Sequence, residues 1–360
     1  MDRRSFSLGL SHPLATARGR IERREGILVG IDARGARGVG EATPLPGWTE
    51  SLADCRAALD AVAEVGDAAL SPAVDAAAPT DPLADLPSAV TDPVTDAPAA
   101  RHAVECAVLD ARGRRRGRPL ARVLADDPVG TVPVNATVGD AGVERTAAAA
   151  REAVDAGFDC LKVKVGVGDL SRDVARLRAV RETVGPDVGL RADANAAWTP
   201  ETAREAVDAF AALDLSSLEQ PLAAANLSGH AALRGHGVDI ALDETLSAVS
   251  LRTALDADAA DILVLKPMAL GGPGRTVEAA RDARSEGVDP VVTTTVDAAP
   301  ARTAAVHAAA AIPDVRPCGL ATGDALATDL GADPAPVEAG SVTVPTAPGV
   351  AGTAFDGLLD

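Results

Sequence analysis

From about residue 132 onward, short apolar runs alternate with helix-like stretches at a spacing of roughly 24–30 residues. The runs are apolar throughout and do not alternate with polar residues, as is typical of parallel strands covered on both faces. In chain order they are VPVNATV, CLKVKV, GLRADA, SLEQPL, IALDE, DILVLKP and PVVTTTV. These seven strand–helix units, with an eighth expected near residues 315–322, predict an α/β fold of the TIM-type (β/α) barrel class. A doubly wound sheet is the weaker alternative, because no Gly-rich phosphate turn follows the first strand.

The N-terminal part of the chain has a different pattern. Residues 1–60 alternate apolar runs with glycine turns, which predicts an antiparallel sheet. We expect helices near residues 50–64 and 100–114. The stretch 66–100 is rich in Ala, Pro and Asp and has no clean period, so we interpret it as an acidic, loosely ordered surface insertion.

The charge of the chain narrows the classes of partner. Acidic residues number 52 and basic residues 34, which gives a formal net charge of -18. The acid is dispersed along the chain, so the basic surface of a nucleic-acid-binding protein is missing and an anionic membrane would repel the protein. Dispersed carboxylates with little lysine suggest a halophilic protein that stays soluble at high salt. The alternative is that the acidic composition arose by drift in an Arg- and Ala-rich proteome and has no connection with salt.

Cysteine usage and the N-terminus favour a cytoplasmic protein. Cys55, Cys106, Cys160 and Cys318 are scattered and form no CxxC pair, which is typical of reduced, buried thiols. The first residues, MDRRSFSLGL, contain no apolar segment of signal-peptide length. We expect no membrane segment, because the longest Ala-rich run, around residues 303–312, is interrupted by His307.

Lysine is nearly absent from this chain. Of the 34 Lys and Arg residues, three are lysines, at Lys162, Lys164 and Lys266, and each lies in an apolar strand-like run. Arginine stays charged at physiological pH, whereas a lysine amine can exchange its proton reversibly. We therefore take the three lysines as candidates for acid–base chemistry. The alternative is that lysine is rare in this chain because of its overall composition, and that these three lysines simply remained.

Other polar residues lie at the C-terminal ends of the predicted strands. Asp193 and Asn195 end the third strand, Glu219 the fourth, and Asp243 and Glu244 the fifth. The two lysines of CLKVKV lie in the second strand and the third lysine ends the sixth. In a barrel, the C-terminal strand ends converge on one mouth, which is where active sites lie. The pattern thus predicts a ring of lysines and carboxylates around that mouth.

Three carboxylates on adjacent strands predict a metal site at this mouth. Asp193, Glu219 and Asp243 would repel one another strongly if they were close together and unpaired. A hard cation with oxygen ligands removes this conflict, and Mg²⁺ is the expected cofactor, with Mn²⁺ as a substitute. Each carboxylate alone could equally cap the next helix or pair with an arginine.

The lysines would flank such a metal. Lys162 and Lys164 are two residues apart in a strand, so their side chains share one face, and each charge should lower the pKa of the other. Lys266 would approach from across the barrel. This arrangement suits removal of a proton next to a carboxylate, with the metal stabilising the resulting enediolate, and a Lys base beside Mg²⁺ is a known solution to that chemistry.

Five motifs carry a family resemblance. The set KVKV, RADAN, EQP, LDE and LKP resembles the enolase superfamily, muconate-lactonizing subgroup. The stretch GVGEATPLPGWTES (38–51) is similar to a capping-domain loop that closes over substrate, and AVECAVLDARGR (103–114) is similar to the helix that leads into the barrel. The resemblance implies a modified TIM-type barrel preceded by an α+β capping domain.

The resemblance also implies domain boundaries. Residues 1–115 would form the capping domain, including the acidic insertion at about 66–100. Residues 116–330 would form the barrel. The segment 331–360 would pack back on the capping domain.

Within the subgroup, the chain is most similar to the o-succinylbenzoate synthase family of menaquinone biosynthesis. The residues that carry this similarity are LRADANAAW (190–198), REG (24–26), PLPG in the capping loop and TTTVDAA (293–299). The family activity is a syn dehydration of a small-molecule carboxylate, a succinyl-hydroxycyclohexadiene carboxylate. The sequence leaves the oligomeric state open.

The resemblance assigns a role to each candidate residue. Lys164 would remove the α-proton and then help the hydroxyl leave, Lys266 would stabilise the charge that develops, and Lys162 would tune its neighbour. Asn195 and Glu244 would orient a ligand or a lysine. Arg191 would assist carboxylate binding or form a structural ion pair.

Two alternatives stay open at this point. A racemase or epimerase of N-succinylamino acids or dipeptides would use the same two lysines as opposed bases. Dipeptide epimerases typically carry Asp-x-Asp at the eighth strand, where this chain reads CGLATGDAL with the single Asp324, which argues against a dipeptide substrate. A non-catalytic barrel is disfavoured, because no ligand or base of the family pattern is missing.

Overall fold

The computed structural model describes residues 1–16, 19–76 and 81–360, and it contains an N-terminal antiparallel sheet and a curled parallel sheet. The strands are β1 Asp2–Thr16, β2 Gly19–Ala33, β3 Ala36–Ala42, β4 Thr131–Pro133, β5 Ala136–Val138, β6 Cys160–Lys164, β7 Gly189–Asp193, β8 Ser217–Glu219, β9 Asp239–Leu242, β10 Ile262–Leu265, β11 Asp289–Val292, β12 Val337–Glu338 and β13 Ser341–Thr343.

Helices follow most of these strands along the chain. They are α1 Leu52–Val65, α2 Ser71–Asp75, α3 Ser88–Thr91, α4 Pro98–Arg116, α5 Leu120–Leu124, α6 Val143–Asp155, α7 Leu170–Val184, α8 Pro200–Ala211, α9 Leu227–Ala231, α10 Thr245–Ala248, α11 Leu251–Asp256, α12 Pro267–Leu270, α13 Pro273–Ser285 and α14 Ala299–Ala310. No helix in the described part of the chain is long and apolar enough to cross a membrane.

The parallel sheet has seven strands in the order β11-β10-β9-β8-β7-β6-β5. The predicted eighth strand near residues 315–322 is reduced to bridge pairing at two residues. Cys318 pairs with Val134 beside one edge of the sheet, and Gly319 pairs with Thr293 at the other. The segment thus joins the two edges, and the predicted α/β fold of the TIM-barrel type with an N-terminal capping sheet is confirmed.

The capping sheet packs closely on α4. Strands β1, β2 and β3 form an antiparallel meander, and β3 lies against α4. A Cβ atom at Gly38 or Gly40 would collide with the backbone carbonyl of Ala107 or Ala103, so only glycine allows this approach. The helices predicted near 50–64 and 100–114 are confirmed as α1 and α4.

The prediction that residues 66–100 form a loosely ordered surface segment is wrong for the residues that the structure describes. Short helices occupy much of the segment, and several of its apolar side chains are buried in the core of the capping sheet, among them Leu70, Val74, Leu83 and Val90. Helices this short show no readable period, although their few apolar residues still pack. Residues 77–80 of the segment lie outside the described residues.

The C-terminal segment contacts both parts of the molecule. Strands β12 and β13 pair with β4 next to the barrel. Further on, a 3-10 helix at Asp356–Leu359 lies against β1 and β2, where Arg4 donates to the Leu358 carbonyl over 2.7 Å. The boundaries at residues 115 and 330 stay predictions.

A buried histidine links α14 to the C-terminal segment. His307 Nε2 donates to the Val350 carbonyl over 2.7 Å, and its Nδ1 accepts from the Ala121 N–H over 3.2 Å. Burial lowers the pKa of His307 to about 4. Because the unfolded chain binds this proton near pH 6.5, the stability that the neutral ring contributes is complete above that pH and is lost as the pH falls toward 4.

We therefore expect wild-type protein to lose about 2 kcal/mol more unfolding free energy than His307→Gln between pH 7 and pH 5. Urea unfolding at both pH values measures the difference. Glutamine can donate and accept but does not titrate, so it serves as the matched control. Equal losses in the two proteins would contradict the assignment.

Candidate active site

The parallel register aligns the polar strand ends. Lys164 lies beside Asp193, and Asp193 lies beside Glu219, as Cα partners in neighbouring strands. Asp243 follows β9 directly, and Lys266 follows β10. All of these residues therefore lie at the C-terminal edge of the sheet, where the loops leave a mouth.

The lysine pair of β6 contacts two of the carboxylates. Lys162 Nζ lies 2.9 Å and 3.1 Å from the two carboxylate oxygens of Glu219 and 3.2 Å from Asp193 Oδ2. Lys164 Nζ lies 2.6 Å from the same Asp193 oxygen and 2.8 Å from Asn195 Oδ1. The Lys164 side chain is 33% exposed and that of Lys162 15%, so Lys164 is the more accessible of the two lysines.

The electrostatics of this cluster differ from the expectation of two lysines that lower each other's pKa. Burial alone would lower the pKa of Lys162, but the carboxylates of Glu219 and Asp193 outweigh it and raise this pKa. Burial would raise the pKa of Asp193, and the two lysines reverse that effect and lower it. Burial and the charge of Asp193 raise the pKa of Glu219 to about 7. The expected lowering is therefore wrong for Lys162, because attraction to its carboxylate neighbours dominates its pKa.

Lys266 lies in a different environment. Its Nζ pairs with Asp243 Oδ2 at 2.7 Å, and its side chain is 10% exposed. The ring of Trp48 covers the same ammonium group, with 3.3 Å from Nζ to the ring centroid. Trp48 belongs to the turn between β3 and α1, where its backbone N–H donates to the Leu45 carbonyl. A capping loop thus reaches the barrel mouth and forms a cation–π contact there.

The three other predicted residues have distinct positions. Asn195 connects Asp193 to Glu244. Its N–H donates to Asp193 Oδ1 over 3.0 Å, and its Nδ2 donates to Glu244 Oε1 over 3.0 Å. Arg191 is buried and donates to the Pro317 carbonyl over 2.8 Å, which ties β7 to the segment that joins the sheet edges. Within the described residues, Arg191 forms no ion pair, so that alternative is wrong.

The donor set suits a hard cation, although the side chains do not enclose one as they stand. Among the described residues, no three acidic, cysteine or histidine side chains form a cluster that could hold a metal ion. The ammonium of Lys162 instead bridges Asp193 and Glu219. Asp243 Oδ1 is buried and has no hydrogen-bond partner within the described residues. A buried carboxylate oxygen without a partner is costly, and a cation is the partner that this oxygen-rich mouth fits.

Sequence reasoning missed Gln220, the residue after β8. Its side chain is fully buried and its φ is 41°. Its Oε1 accepts from the N–H groups of Asp243 and Thr245 over 3.0 Å and 3.1 Å, and its Nε2 donates to the Leu222 carbonyl over 3.0 Å. Gln220 therefore fixes the backbone that carries Asp243. The EQP motif contains the residue, but only the folded structure shows what it binds.

Replacing Gln220 by alanine is expected to lower the unfolding free energy by about 3 kcal/mol, because at least two buried N–H groups would lose their acceptor. Asn226→Ala removes a single helix cap on α9 and should cost only about 1 kcal/mol. Urea unfolding of both variants measures the contrast. If the two substitutions cost the same, Gln220 does not have this role.

Comparison with known proteins agrees with the architecture. Residues 5–125 match the family model of the mandelate racemase / muconate lactonizing enzyme N-terminal domain, and residues 145–356 match that of the enolase C-terminal domain-like family. The crystal structure of a dipeptide epimerase from Enterococcus faecalis V583, complexed with Mg and the dipeptide L-Leu-L-Tyr, is 27% identical with a TM-score of 0.85 and covers 97% of each chain.

Curated relatives with different activities are similarly close. An o-succinylbenzoate synthase from Thermobifida fusca is 38% identical over 209 residues, 57% of this chain and 63% of the relative. A hydrophobic dipeptide epimerase from Enterococcus faecalis is 41% identical over 134 residues, 37% of either protein. The matches span less than two thirds of these relatives. The two family models, which together cover most of the sequence, show that the chain belongs to the mandelate racemase / muconate lactonizing enzyme family of the enolase superfamily.

Proposed function

We propose that the protein is a Mg²⁺-dependent dehydratase of the o-succinylbenzoate synthase type. Its reaction would be the syn dehydration of 2-succinyl-6-hydroxy-2,4-cyclohexadiene-1-carboxylate. The observation that carries the proposal is the unequal exposure of Lys164 and Lys266. The side chain of Lys164 is 33% exposed, whereas that of Lys266 is 10% exposed and its ammonium group lies against the ring of Trp48.

This inequality favours a reaction with one base. A racemase needs an acid and a base on opposite faces of the α-carbon, and both must reach that carbon. In a syn dehydration, the proton and the hydroxyl leave from one face. The proton passes from the α-carbon to Lys164 Nζ, and the same group returns it to the departing hydroxyl, which leaves as water. The electron pair of the broken C–H bond forms the new double bond of the ring.

The other side chains support this step. Lys266 would keep a positive charge opposite the base, held by Asp243 and the indole of Trp48. Asn195 and Asp193 hydrogen-bond Lys164 Nζ and set its direction. When bound, Mg²⁺ would be held by Asp193, Glu219 and Asp243, and it would neutralise the carboxylate next to the carbon that loses its proton. Mn²⁺ could replace it.

Racemisation of N-succinylamino acids is the second candidate. The observation that favours it is that both lysines occur at the mouth, on either side of the three carboxylates. If the loop that carries Trp48 moves away when substrate binds, Lys266 becomes a second base. The dipeptide epimerases are disfavoured by the single Asp324 in the region where they typically carry two acidic residues.

The two candidates are separated by one set of assays on the purified protein. It is incubated with Mg²⁺ at low and at molar salt, and kcat/KM is measured for o-succinylbenzoate formation, for racemisation of N-succinylamino acids and for dipeptide epimerisation. We expect dehydration to exceed both other activities. A higher kcat/KM for either isomerisation would contradict the proposal, and the salt series tests the expected halophilic behaviour independently.

A further inference from the structure

The backbone of the proposed base is held by a buried ion pair on the helix that follows its strand. Arg176 in α7 has no exposed side-chain surface, and its Nη1 donates to the carbonyl of Lys164 over 2.8 Å. The same Nη1 lies 2.9 Å from Asp173 Oδ1, and Asp173 is equally buried. A charged pair from one helix thus reaches the backbone at the C-terminal end of β6.

The pair fixes more than one residue of this strand end. The second carboxylate oxygen of Asp173 accepts from the Gly166 N–H over 2.7 Å. Between these two contacts, the Val165 N–H donates to the carbonyl of Asp193 over 2.9 Å. The backbone of residues 164–166 is therefore held by hydrogen bonds at three consecutive positions. The middle one joins this strand end to Asp193, a predicted metal ligand.

The guanidinium of Arg176 also contacts the neighbouring unit of the barrel. Its Nη2 donates to the Gly139 carbonyl over 2.9 Å, just after β5, and its Nε donates to Thr146 Oγ1 over 3.1 Å. Burying a charged pair costs several kcal/mol per ion, and apolar residues of similar volume often stabilise a fold at least as well. A contribution to stability therefore does not explain why this charged pair is buried. Precise placement of the backbone at the C-terminal end of β6 does explain it.

We propose that Asp173 and Arg176 form a positioning pair for Lys164. The pair contacts no substrate and acts through the backbone of residues 164–166, which sets the origin of the Lys164 side chain relative to Asp193 and Asn195. This inference rests on the proposed function only in taking Lys164 as the base. It holds equally if the reaction proves to be a racemisation.

The kinetic test compares Asp173→Asn, Arg176→Gln and Arg176→Lys with a matched control. Arg114→Gln removes another largely buried arginine, which pairs with Asp110 at 2.8 Å and Asp356 at 2.5 Å far along α4. We expect kcat to fall by about 100-fold in Asp173→Asn and Arg176→Gln while KM changes less than about threefold, because a displacement near 1 Å can cost that much rate. The primary deuterium isotope effect at the α-carbon should rise, and Arg176→Lys should recover part of kcat.

Lysine NMR tests the same inference without a substrate. Protein labelled with ¹³Cε-lysine has three signals from its three lysines, which Lys→Arg variants assign. We expect Asp173→Asn and Arg176→Gln to shift the Lys164 signal and to leave that of Lys266 in place, whereas Arg114→Gln moves neither. The conservative Asp173→Asn keeps the test valid if Arg176→Gln does not fold.

The possible failures are distinguishable. If wild-type protein shows neither dehydration nor isomerisation but the Lys164 signal responds as expected, the proposed function fails and the positioning pair stands. If the Lys164 signal is unchanged in both variants, or if kcat falls no more than in Arg114→Gln, the positioning pair is overturned.

Discussion

Replacing Lys164 by alanine is expected to lower turnover by about 10²- to 10⁴-fold, the range that a positioned general base contributes. The substitution removes the amine that lies within hydrogen-bond distance of Asp193 and Asn195 at the open side of the mouth. The rate of o-succinylbenzoate formation and the rate of solvent deuterium exchange at the α-carbon of a substrate analogue should both fall. The substrate KM should change far less than kcat, because the base acts mainly in the transition state.

Two further variants show whether the loss comes from the base itself. Lys164→Arg keeps the positive charge but cannot give up its proton near neutral pH, so it should be as inactive as alanine. Lys266→Ala should lower dehydration but preserve deuterium exchange through Lys164. Activity retained in Lys164→Arg would contradict the role of Lys164. If Lys266→Ala loses exchange for one enantiomer of an N-succinylamino acid and Lys164→Ala loses it for the other, the racemase alternative is favoured instead.

Replacing Asp243 by asparagine is expected to weaken Mg²⁺ binding by more than about 100-fold. Loss of a residue that only supports a metal ligand already costs about 10- to 100-fold in affinity, so the loss of a charged direct ligand should exceed that. Asp243 is chosen because its Oδ1 is buried and lacks a hydrogen-bond partner among the described residues. Isothermal titration with Mg²⁺ measures the affinity without any substrate.

The same strand supplies the control for this substitution. Asp239 begins β9 and pairs with Arg316 at 3.0 Å, at the opposite end of the strand from the mouth. Asp239→Asn should bind Mg²⁺ as wild-type protein does. Chelation with EDTA should abolish wild-type turnover, and added Mg²⁺ should restore it. Unchanged Mg²⁺ affinity in Asp243→Asn would exclude Asp243 as a ligand.

The barrel and the positions of its polar strand ends could be predicted because both depend on local patterns. An apolar run followed by a helical stretch specifies a strand unit, and parallel strands bring their C-terminal ends together. Asp193 and Glu219 follow this rule, since they are Cα partners in neighbouring strands. The rule does not specify side-chain contacts, so the bridging position of Lys162 was not predicted.

The contacts that the sequence did not predict join residues far apart in the chain. Trp48 meets Lys266 across more than two hundred residues, through a loop whose path depends on how the capping sheet packs on the barrel. Gln220 and Arg176 bind backbone groups. Every residue has these groups, so the sequence does not indicate which residues are the partners. The short helices between residues 67 and 94 were missed for another reason, because none is long enough to show an amphipathic period.

A crystal structure of the protein with Mg²⁺ and o-succinylbenzoate would decide whether the carboxylates and Lys164 act together as proposed. We predict one Mg²⁺ held by oxygens of Asp193, Glu219 and Asp243, with Lys164 Nζ within about 3.5 Å of the ring carbon that bears the carboxylate. Lys266 should lie on the opposite face of the ring. A metal bound by other residues, or a product whose ring carbon lies out of reach of Lys164, would contradict the proposed mechanism.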